Sequence, residues 1–121
     1  MITNLDQLIG LTKTVSNFDE RVYRGWPEAK PESPFAIVTT VANVTNYQYD
    51  QEEIIADLTY QVDIFADDPA EAEDLASDVS NLFNRYGIIR SGYFDGFEPS
   101  EGLRRVTINF RVSLDKRGNT Y

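Results

Sequence analysis

The run Val106, Ile108, Phe110, Val112 and Leu114, interleaved with Thr107, Asn109, Arg111 and Ser113, constrains this chain more than any other feature. Strict alternation is the period of a strand with one face in a core and the other toward solvent or a partner. A second alternating run precedes it. Leu58, Tyr60, Val62 and Ile64 interleave with Thr59, Gln61 and Asp63, which predicts a strand over residues 54–65. Between the two runs the period changes. Asp68-Pro69-Ala70-Glu71 reads as a helix start, with an acid at the N-cap, proline at the first helical position and glutamate at the third. Ala72, Leu75, Ala76, Val79, Leu82, Phe83 and Tyr86 then recur at helical spacing, and Gly87 supplies the stop. Acids in the first turns and Arg85 in the last suit the helix dipole.

The remaining segments fall into place around this strand–helix–strand unit. Asn4 and Gln7 have capping-box spacing, and Leu5, Leu8, Ile9, Leu11 and Val15 form an apolar stripe, predicting a helix over residues 5–16. Residues 20–26 form a short extended piece centred on Val22 and Tyr23. Pro27, Pro31 and Pro34 then impose a loop. Phe35-Ala36-Ile37-Val38 opens a β-branched strand reaching Val44 or beyond, and residues 47–51 form the tip of a long hairpin. Residues 93–97 predict a short aromatic strand, residues 99–102 a turn, and residues 116–121 a frayed tail. The expected fold is a single α+β domain over residues 1–121: a mostly antiparallel sheet of four to five strands with two α-helices packed on one face.

Several function classes are excluded by what the chain lacks. It has no cysteine and no histidine. Disulfides, thiolate chemistry and Ser-His-Asp or Cys-His triads cannot be built, and zinc loses its usual ligands. Glu71, Asp74 and Asp78 share a helical face and could in principle hold a hard cation or act as acid and base. A solvated face is the better reading, because hard-cation sites add loop carbonyls and a tight turn. Gly92, Gly96 and Gly102 are too scattered for a phosphate loop. Trp26, beside Pro27, suits a contact position and a core anchor equally. No catalytic residue, metal site or cofactor is expected. Residues 1–18 lack the pattern of a signal peptide, and no stretch approaches the ~18 apolar residues that span a bilayer. No signal peptide, no membrane span and no membrane partner are therefore expected.

The formal net charge is −9, poorly suited to gripping nucleic-acid phosphates. The charge is uneven. Asp63, Asp67, Asp68, Glu71, Glu73, Asp74 and Asp78 occur without an intervening base, whereas Arg85, Arg90, Arg104, Arg105, Arg111, Lys116 and Arg117 gather toward the end.

The layout, with particular residues in it, resembles the tail terminator and tail completion proteins of long-tailed phages. The similar features are an opening helix, the segment Val22-Tyr23-Arg24-Gly25-Trp26-Pro27-Glu28, and the proline-led strand Pro34-Phe35-Ala36-Ile37-Val38. The strand Tyr60-Gln61-Val62-Asp63-Ile64-Phe65-Ala66 running straight into the Pro69 helix is the most telling part. The close is Arg104-Arg105-Val106-Thr107-Ile108-Asn109-Phe110-Arg111-Val112. Neck, head-completion and tail tube proteins share some of this build. The resemblance implies a non-enzymatic sixfold ring of the virion tail, assembled in the bacterial host cytoplasm, that sits on the last tail-tube ring at the head-proximal end and stops tube growth. Its other face would meet the head or neck, and DNA would pass through without specific binding.

A closed ring needs one patch on each copy to meet a different patch on the next. Asp63, Asp67 and Asp68 of one copy could face Arg104, Arg105 and Arg111 of its neighbour. Tyr47 and Tyr49 at the hairpin tip are further contact candidates. The alternatives are charges that decorate solvated faces and a loop with incidental aromatics. At the level of function, the alternatives are a neck or minor tube protein and, in a different class, a small ligand-binding or hydrolytic α+β enzyme.

Overall fold

The computed structural model describes residues 5–47, 54–98 and 102–114. Helix α1 spans Leu5–Thr12, and a single 3-10 turn follows at Ser16–Phe18. Strands β1 (Val22–Tyr23), β2 (Phe35–Tyr47) and β3 (Ile54–Ala66) precede helix α2 (Pro69–Asn84), and β4 (Ile89–Glu98) and β5 (Leu103–Leu114) close the chain. The strands form one sheet in the order β1-β2-β3-β5-β4. Among the described residues only β1 and β2 run parallel, and the other neighbouring pairs are antiparallel. The fold class is α+β, as the alternation of periods predicts.

The alternating runs become the two faces of the sheet. Val62, Ile64, Val106, Ile108 and Phe110 are fully buried beneath the helices, with Tyr60 and Val112 nearly so. Ala72, Leu75, Ala76, Val79 and Phe83 of α2 meet them from above, and the Phe83 and Phe110 rings lie 4.6 Å apart. Leu5 and Leu8 of α1, with Phe18, complete this core. Burying such side chains contributes about 1.5–3 kcal/mol each, the main term holding helices to sheet.

Element ends differ from the sequence expectation in several places, three of them with a clear physical reason. Helix α1 stops at Thr12, short of Ser16. Thr14 bonds the Leu11 carbonyl through both backbone and side chain, and the ladder tightens to i→i−3 bonds. Helix α2 stops at Asn84, and residues 85–87 form a turn. Gly87 adopts a left-handed φ of 78° there, while the Ile88 N–H donates to the Phe83 carbonyl, a Schellman-type closure. Strand β4 begins at Ile89, earlier than residue 93; an irregularity between Arg90 and Gly92 interrupts the alternation that would mark this start in the sequence. Asp68 takes the N-cap position of α2 with extended dihedrals, yet its side chain makes no capping bond.

Candidate functional site

The face of the sheet turned away from the helices is the surface on which the predicted residues can be judged. At one end it carries a second apolar cluster. Phe35 and Phe65 are direct cross-strand partners with rings stacked at 4.9 Å, and Ile37 and Leu103 join them. Trp26 lies against both phenylalanines, its ring centre 5.1 Å from that of Phe65, and remains 54 % exposed. It is therefore neither a core anchor nor a detached side chain: it covers the end of this cluster with one side still open.

Beside the cluster sits a buried carboxylate. Asp63 is only 6 % exposed. It accepts hydrogen bonds from the Thr107 hydroxyl directly across the ladder, from Gln61 Nε2 at 3.0 Å, and from Arg105 Nε at 3.3 Å. The Arg105 Nη2 also lies 3.3 Å from the same carboxylate, and the guanidinium stands over the Phe65 ring at 5.7 Å. The charge pattern allows Asp63 of one copy to face Arg105 of a neighbour. The chain instead pairs them within itself, because β3 and β5 are adjacent strands and both side chains point to the same face. Sequence reading missed Gln61 and Thr107 as its partners. Their alternation opposite the apolar residues of β3 and β5 was the available signal.

The other charged candidates are spread along the molecule. Asp67 and Asp68 are exposed at the β3–α2 junction. Arg104, also exposed, is paired across the ladder with Ala66, so it stands at the same end of the sheet as those acids. Arg111 is exposed seven positions along β5, which puts it roughly 24 Å away at strand rise. Tyr47 closes β2 opposite Ile54. Tyr49 lies outside the described residues.

Strand β4 adds apolar groups that sequence reading left unassigned. Phe94 is 58 % exposed and Ile89 62 %, and they pair with Thr107 and Arg111 on the helix-free face. Tyr93, paired with Ile108, points to the helix side. Partial burial raises its phenol above the ordinary value, the Glu73 and Asp95 carboxylates push the same way, and Arg90, 5.3 Å over its ring, opposes them. Among the described residues no three potential metal ligands converge. The grooves flanking α2 are polar, one lined by Ser16, Asn17, Asp78, Asn81 and Arg85, the other by Ser77, Ser80, Asn84, Ile89 and Arg90. No described helix is long and apolar enough to cross a membrane.

No family model and no curated protein matches this chain. Among solved structures it is similar in fold to a chain of the virion of a native gene transfer agent (GTA) particle. The TM-score is 0.58 at 17 % sequence identity, covering 89 % of this chain and 84 % of that one. The likeness extends over nearly all of both molecules, so it concerns the whole architecture and not one supersecondary unit.

Proposed function

We propose that this chain is a structural protein of a phage-type virion and, more finely, a tail terminator. Identical copies close into a ring, most simply a hexamer, that caps the head-proximal end of the tail tube and ends its polymerisation. The outer face of the ring receives the head or neck proteins, and DNA passes through its centre. The observation that carries the reading is the fold-level likeness to a gene transfer agent virion chain across most of both molecules. The exposed aromatic and aliphatic groups Trp26, Ile89 and Phe94 support it, since large apolar side chains left on a surface favour contact with other proteins. With Asp63 and Arg105 already paired in one chain, contacts between copies involve Asp67, Asp68, Arg104, Arg111 and the hairpin-end tyrosines Tyr47 and Tyr49.

Two measurements test this. Native mass spectrometry of the purified chain, alone and with tube protein, should give a sixfold multiple of 13.8 kDa. Electron microscopy of particles made without the protein should show overlong tails. Tails of normal length that lack heads would point to a neck protein, and a stable monomer that binds no tube end would overturn the assembly reading.

A further inference from the structure

We propose that copies of this chain join by continuing the sheet, with the outer edge of β4 in one copy pairing antiparallel to the uncovered edge of β2 in the next. This rests on the ring reading above and names the surface through which the ring closes.

Among the described residues the strand order leaves two open edges on opposite sides of the molecule. Strand β4 is the last strand on one side. On the other side β1 covers β2 only at Ala36 and Ile37, and β2 continues to Tyr47. Each edge holds one irregularity, between Arg90 and Gly92 in β4 and between Thr40 and Ala42 in β2. Beyond these the regular stretches are residues 92–98 and residues 42–47, nearly equal in length.

The directions also agree. Strands β2 and β3, β3 and β5, and β5 and β4 are each antiparallel, so β4 runs opposite to β2. A neighbour placed in the same orientation therefore brings β4 against β2 as an antiparallel pair, which makes well-formed ladder bonds. The contact is heterologous: each copy uses one edge toward each neighbour, and a constant rotation of about 60° per step closes a ring of six.

Soluble monomers blunt such edges with proline, charged side chains, bulges or covering segments, because a row of unpaired backbone groups recruits other chains. In β4 the irregularity and Arg90 lie at its start; the regular stretch 92–98 contains neither proline nor lysine, has Asp95 and Glu98 as its charges, and carries the exposed Tyr93 and Phe94. Residues 35–47 contain no charged residue at all, in a chain with 20 acids and 11 bases. A charge-free edge meets β4 with no like-charge opposition to Asp95.

The chain has no cysteine, so introduced pairs can be read without background. Asp95→Cys is combined in turn with Val44→Cys, Thr45→Cys and Asn46→Cys, and the proteins are oxidised under conditions where the parent forms rings. Unchanged circular dichroism of the reduced variants establishes that each is folded. At least one double variant should give a ladder of covalent multimers ending at ring size and collapsing with reductant, while each single variant stays a one-chain band. Rings by native mass without a ladder in any double variant would overturn the edge pairing and leave the ring reading standing. A covalent dimer from Asp95→Cys alone would mean that two β4 edges meet about a two-fold axis, which also overturns it. Absence of any assembly would remove both readings together.

Discussion

Asp63 shows at the residue scale how far a charge pattern can be read without coordinates. Its place in an acidic run suggested a group seeking a partner elsewhere. Yet strand alternation sets it on the same face as Thr107 and Arg105, and that face bends its chemistry inward. The run of acids was legible; the pairing was not, because register between β3 and β5 cannot be read from either strand alone. Removing the carboxylate leaves Thr107, Gln61 and half-buried Arg105 without their acceptor. Asp63→Ala should therefore lower stability by about 1–3 kcal/mol in urea titrations. Adding Arg105→Met should restore part of the loss, because a pair is less harmful to replace than to break. Tyr60 gives a second residue-scale prediction. Burial raises its phenol above the ordinary 10.0. The unfolded chain then ionises first, so the folded state is fully favoured below about pH 10 and loses ground as pH climbs from the unfolded toward the folded pKa. Tyr60→Phe should flatten this alkaline decline in thermal unfolding followed from pH 9 to 11.

At the scale of elements, periodicity located what packing then had to finish. The Asp68-Pro69 start and the stripe from Ala72 to Phe83 describe α2 closely, since fixed spacing reports directly which face is apolar. Strand β4 was half legible: its irregularity at Ser91 breaks the alternation, and only the aromatic stretch kept a strand's appearance. Proline at the first helical position and an extended Asp68 make the helix start recognisable, but the Asp68 carboxylate bonds no backbone N–H. What it supplies is charge beside the positive end of the helix. Asp68→Ala should cost about 0.3–1 kcal/mol, with the difference fading in high salt. A loss nearer 2 kcal/mol that ignores salt would mean that the side chain caps after all.

For the whole molecule, the α+β architecture with helices on one face was readable from the order of periods, whereas the strand order was not. Nothing in β4 or β5 by itself says that β5 inserts between β3 and β4. That insertion decides which strands end up at the sheet's two sides. Each copy carries a net charge of −9, so copies brought side by side repel through solvent. Association that depends on backbone ladders should strengthen as salt screens this repulsion, by several-fold in apparent affinity between 50 and 500 mM sodium chloride in sedimentation experiments. Association carried chiefly by the contacts of Asp67 and Asp68 with Arg104 and Arg111 would weaken over the same range, so the sign of the salt effect tells which contribution dominates. The chain also has a single tryptophan, Trp26, half open to water above the Phe35–Phe65 stack. It gives the molecule its own optical gauge on one surface. Emission should shift to the blue when another protein seats on that surface and stay nearly constant when copies merely join edge to edge, so an unlabelled sample can report capping separately from closure.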